Sequence, residues 1–181
     1  MTPDADGTTA QHAAWSALAE LYQAVVRPVV VRLEAETGID SGVYSALAYL
    51  ERAEPPGRLP LSDLARMLGV RYSQPGVSRL VQRMELDGLV ERHVDPSDRR
   101  AAIVTITPHG RSRHDRAETV YRTAVSEEFG TFLDATQADA LTAALTTVLA
   151  ARAASVPDLL APPTGAAGAA DEIQRQQTRR G

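Results

Sequence analysis

The chain has 181 residues, 44% of them hydrophobic, with a formal net charge of −4 and no cysteine. This length and apolar content suit one domain with an appendage. The lack of cysteine excludes disulfides, thiolate metal sites and thiol redox switching. Apolar runs are far shorter than a membrane span, and no basic stretch leads into an apolar one at the start, so a cytoplasmic protein is expected.

Residues 1–9 are polar and are expected to be a flexible N-terminus. From His12 to about Glu36, Trp15, Leu18, Tyr22, Val25, Val29 and Leu33 recur at three- and four-residue steps, the period of a helix. Pro28 removes one backbone donor and predicts a kink. Gly38 closes the segment, and Asp40 or Ser41 caps a second helix to about Arg52. Glu54–Pro60, "EPPGRLP", is predicted to be a loop by its proline and glycine content. Leu61, Leu64, Ala65 and Leu68 mark a short third helix ending at Gly69.

In "YSQPGVSRLVQR", Tyr72–Arg83, two poor helix formers stand before the stripe Val77, Leu80, Val81 and Met84. Pro75 fits the first turn, where its missing N–H costs nothing, with Ser73 as cap. Gly76 suits a backbone that something approaches closely. The opposite face carries Gln74, Ser78, Arg79, Gln82 and Arg83. Arginine and glutamine are the residue types that pair with guanine and adenine edges, although a polar outer face is also the norm for any surface helix.

"LVERHV" and "AIVTI", Leu89–Val94 and Ala102–Ile106, alternate as strands of a hairpin whose tip holds Asp95, Pro96, Ser97, Asp98, Arg99 and Arg100. A projecting Arg99 or Arg100 suits the negative potential of a minor groove, and Asp98 can hold a guanidinium in place. Thr107 and Pro108 open a long helix to about Phe132, and "TQAD", Thr136–Asp139, resembles a capping box opening a last helix to Ala154. Residues 156–181 are rich in Ala, Gly, Pro and Gln and are expected to be a disordered tail. Charge is divided unevenly. Ser62–Arg113 holds nine Arg and six acids, a balance of +3, while the remainder carries −7. A basic centre in an acidic chain suits a polyanion if its charges share one face.

The order of elements gives a mainly α, α+β chain built on a winged helix-turn-helix. Its second helix would enter the DNA major groove. The block Leu61–Gly110, with S-x-x-x-x-S-R-L-V-x-R, G-L-V-x-R, D-P-x-D-R-R and T-x-x-G, resembles the MarR family of bacterial transcription regulators. The resemblance implies a homodimer whose terminal helices intertwine around two winged helices. It divides the chain into a dimerisation helix (10–38), a DNA-binding domain (39–107) and C-terminal dimerisation helices (108–155). It places Ser73, Gln74, Ser78, Arg79 and Arg83 on double-stranded DNA, with Arg99 or Arg100 at the wing tip, and the reading of the residues themselves adds Pro75, Gln82 and Asp98. Gly76 departs from the family's usual Ala, Thr or Ser.

The resemblance further implies a repressor released by a small aromatic or phenolic ligand, with Trp15, Tyr22, Arg27, Tyr44 and Tyr49 as candidate liners. No cofactor or metal is expected, although His109, His114 and Asp115 could be gathered. No catalytic motif is present, so no enzyme is expected. The alternative is a winged helix that holds a protein partner without binding DNA.

Overall fold

A computed structural model describes residues 5–69, 72–94 and 102–155. Helix α1 spans Ala5–Thr37 and α2 Ser41–Glu51; strand β1, Arg58–Pro60, leads into α3, Leu61–Leu68, and α4, Gln74–Leu86. The wing strands β2, Val90–Val94, and β3, Ala102–Ile106, precede α5, Pro108–Glu128, and α6, Ala135–Ser155. The fold is a mainly helical winged helix with a small antiparallel sheet. Among the described residues no helix is long and apolar enough to cross a membrane.

Helix α1 starts at Ala5 rather than His12, and its helical assignment runs unbroken through Pro28. Its C-terminal carbonyls are satisfied from another element. Arg113 of α5 donates to the Thr37 carbonyl at 2.7 Å and Arg116 to that of Glu36 at 3.2 Å. Cations there also oppose the negative end of the helix dipole. Asp40 caps α2 through its carboxylate, which accepts from the Gly42 and Val43 amides at 2.9 Å each.

The segment Glu54–Pro60 is not all loop. Its last three residues form β1, which pairs with β3 at Arg58–Thr105, Leu59–Val104 and Pro60–Ile103. Three residues are too few to display an alternation, and Pro60 is tolerated because β1 is an edge strand in the order β1-β3-β2. Gly57, at φ +82°, makes the turn into β1. A side chain there would also collide with Arg111, whose guanidinium is 2.7 Å from Glu51 of α2.

The core forms where α2, α3 and α4 meet the sheet. Leu47, Leu50, Leu64, Val77, Val81, Met84, Val90 and Val104 are its deepest members. Thr107 caps α5 by accepting from the Gly110 amide at 2.9 Å while donating to the Gly88 carbonyl at 2.7 Å. Gly110 is required by close approach, since a Cβ would lie 2.0 Å from the Leu89 carbonyl oxygen. Helix α5 ends at Glu128, followed by a single 3-10 turn, Gly130–Phe132.

The box opening α6 lies two residues before the predicted one. The Asp134 carboxylate accepts from the Gln137 amide at 2.8 Å, and the Gln137 side chain accepts from the Asp134 amide at 3.0 Å. The side-chain amide of Gln137 reaches back to the cap in a way the shorter Asp139 does not match. None of the described residues of α6 is buried.

Candidate nucleic-acid interface

Helix α4 separates cleanly into two faces. Val77, Leu80, Val81 and Met84 are buried against the core, whereas Ser73, Gln74, Pro75, Ser78, Arg79, Gln82 and Arg83 are all exposed. Ser73 is the N-cap and accepts from the Gly76 amide at 3.4 Å, with Gln74 and Pro75 as the first two helical residues. The helix therefore starts where the paired Pro and Gly made a start look improbable, because proline in a first turn forfeits no hydrogen bond. Gly76 is not demanded by the fold. A Cβ at that position would meet Ser73 and Tyr72 only at ordinary contact distances of 3.4 Å and beyond.

The seven nominated residues share one exposed end and face of the helix. They are not equally free. Arg83 is ion-paired with Asp40, the cap of α2. Arg79 has no ion-pair partner among the described residues. Arg92 on β2 stands 3.4 Å from Glu85 of α4, which ties the wing's first strand to the helix. The wing-tip residues Asp98, Arg99 and Arg100 lie outside the described residues.

A second feature lies between α1, α2 and α5. It is a cavity of about 210 Å³ lined by Tyr22, Val29, Leu33, Tyr44, Tyr121 and Val125 among others. Of the five nominated ligand residues, Tyr22 and Tyr44 line it. The other three do not. Trp15 is 67% exposed, Arg27 faces outward, and Tyr49 packs on the core from α2. The resemblance nominated all five, but Trp15 sits on α1 before the helix reaches the core, and Tyr49 falls on the far side of α2 from Tyr44.

Tyr121 was missed. Its signal is the small-residue spacing of α5, where Ala117 and Ala124 are buried on the same side. Its ring stacks on that of Tyr44 at 4.7 Å, and the His114 ring stacks on Tyr44 at 5.8 Å. The Tyr44 hydroxyl donates to Glu118 at 2.6 Å. Burial pushes the Tyr44 phenol well above its ordinary pKa, and the hydrogen bond to Glu118 adds to the effect. His114 is buried, and its Nε2 has no hydrogen-bond partner among the described residues. Among the described residues, no three His, Cys, Asp or Glu are grouped to hold a metal, so His109, His114 and Asp115 are not gathered into a site.

Residues 37–101 match the model of the MarR family. The transcriptional activatory protein BadR of Rhodopseudomonas palustris is 38% identical over 79 residues, a stretch covering 44% of this chain and 43% of BadR. AbsC, a MarR-family transcriptional regulator from Streptomyces coelicolor, shares 26% identity with a TM-score of 0.65, covering 76% of this chain and 90% of AbsC. A second MarR-family regulator from Streptomyces coelicolor, solved in complex with DNA, is 23% identical with a TM-score of 0.66 over 77% of this chain and 86% of its own, a likeness of fold.

Proposed function

Taking the chain as a MarR-family winged-helix protein, a family of transcriptional regulators and not of enzymes, we propose that it binds a pseudo-palindromic DNA operator as a homodimer. The observation that carries this reading is the outer face of α4, where Gln74, Ser78, Arg79 and Gln82 stand exposed above a wholly buried inner stripe. In this reading the N-terminal end of α4 enters the major groove. Gln74, Arg79 and Gln82 address base edges, and Ser73, Ser78 and the first-turn amides address phosphates. The wing tip, with Arg99 and Arg100 steadied by Asp98, follows the adjacent minor groove.

A second copy supplies what α1 and α6 lack. The described residues of α1 up to Ala24 are all exposed, Trp15 among them, and α6 leaves Val148 and Leu149 in solvent. Apolar surface of this extent on two helices calls for a partner. A symmetric pair would bury both and set two α4 helices about one DNA turn apart, roughly 34–36 Å. This assigns 10–38 and 108–155 to dimerisation and 39–107 to DNA.

The cavity beside Tyr22 and Tyr44 is the place for a small aromatic acid or phenol whose binding releases the operator. The protein then acts in the cytoplasm as a ligand-released repressor. BadR is named for activation, so a reporter assay is the measure of sign in this chain. A gel shift of the purified protein on its own upstream DNA, repeated with aromatic acids added, tests the reading. Retarded bands that weaken as salt rises, and that the ligand abolishes, support it. No shift at low salt, or one indifferent to salt, contradicts it and favours a winged helix that holds a protein partner.

A further inference from the structure

The first turn of α2 receives both ends of α4. Tyr72, just ahead of α4, lies over Gly42, where a Cβ would stand 2.1 Å from the tyrosine Oη. Near the other end, Arg83 crosses to Asp40. Arg83 has a carboxylate nearer in sequence, for Asp87 is one helical turn along and lies on the same polar cleft. That cleft, of about 490 Å³, is lined also by Glu34, His109 and Arg113. Arg83 pairs with Asp40 rather than with Asp87, its neighbour four residues on. Arg113 is already committed to the Thr37 carbonyl. Asp40 alone among these acids does two jobs, with one oxygen on the Gly42 and Val43 amides and the other on Arg83.

We propose that Asp40 is a positioning residue for the DNA-reading helix, holding Arg83 as a neutralised pair that a DNA phosphate must displace. The proposal rests on the DNA-binding reading above. In the free protein the Arg83 charge is spent on Asp40, so the outer face of α4 presents Arg79 as its available cation. On a duplex, a phosphate offers Arg83 a second anion, and the exchange leaves the Asp40 carboxylate to its capping role. Asp40 thereby lowers general affinity for polyanions while leaving base reading to Arg79, Gln74 and Gln82. The pair is half-exposed, which sets its size. Exposed ion pairs contribute about 0.2–1 kcal/mol, equivalent to roughly a 1.4- to 5-fold change in binding.

The test is fluorescence anisotropy on a labelled duplex from the protein's own upstream DNA. It compares the wild type, Asp40→Asn, Arg83→Ala and the double variant at low and at high salt. Asparagine caps a helix as well as aspartate, so Asp40→Asn removes the charge and keeps α2, which thermal unfolding verifies. The expected result is a two- to fivefold gain in affinity for Asp40→Asn, shrinking at high salt and largely lost in the Arg83→Ala background. An equal gain in both backgrounds makes Asp40 an ordinary surface charge and overturns the proposal. No gain, or a loss, also overturns it. Should the wild type bind no duplex, the functional reading itself falls and takes the proposal with it; binding by the wild type with Asp40→Asn unchanged sinks the proposal alone.

Discussion

Helices α4 and α6 are built from similar stock and meet opposite fates. Each has apolar residues at helical spacing and a hydrogen-bonded N-cap, Ser73 in one and Asp134 in the other. In α4 the apolar stripe is sealed in the core. In α6 Leu141 and Leu145 are half-covered and Val148 and Leu149 lie in solvent. The difference is not helix propensity, because α6 is the richer in alanine. It lies in what each helix faces: α4 has α2, α3 and the sheet around it, whereas α6 has too little of its own chain. The reading helix thus finds its cover within the chain, whereas α6 leaves apolar side chains in solvent, the surface that the proposed dimer would bury.

The largest expected effect separates the two regions by stability. Leu47→Ala, at a fully buried site, should cost about 2–5 kcal/mol in denaturant unfolding. Leu149→Arg should leave the monomer's fold intact, since Leu149 touches little of its own chain. Sedimentation should instead show it as a monomer, with DNA affinity down on the order of 100-fold through loss of two-point binding. Equal destabilisation by both substitutions would break the comparison.

Within α4, Arg79→Ala should cost about 1–3 kcal/mol and relax preference at one base position, read by binding-site selection. Uniform loss over all sequences would move Arg79 to a phosphate. Ser73→Ala removes the cap and should cost about 1 kcal/mol of stability, checked by thermal unfolding. The smallest effect concerns Tyr44. Its phenol is raised by burial and by Glu118, so the neutral form is favoured in the fold. That stabilisation is complete below the ordinary phenol value of about 10. It fades as pH climbs through the higher folded value. An absorbance titration should show a late phenol ionisation step, and Tyr44→Phe should remove it.

What the sequence made legible follows from distance along the chain. The stripe of α4, the Ser73 cap and the Thr107–Pro108 start of α5 are contacts within a few residues, and local chemistry specifies them. The third strand was hidden because β1 is defined by its partner β3, about 45 residues away. The Asp40–Arg83 pair spans 43 residues, and nothing in the "IDSGV" stretch distinguishes a cap from a cap that also holds an arginine. For the cavity, the family resemblance nominated residues on α1 and α2, but local sequence does not orient one helix against another. Hence Tyr22 and Tyr44 fell on it, Trp15 and Tyr49 fell off, and Tyr121 was overlooked.

The central claim is that two copies of α4 enter successive major grooves on one side of a duplex. Methylation interference at guanine N7 on the protein's own upstream DNA tests it most directly, because that atom lies in the major groove alone. Two clusters of interfering guanines about 10 base pairs apart are expected, with the cluster pattern altered by Arg79→Ala. Binding that tolerates guanine methylation throughout the fragment would contradict the account.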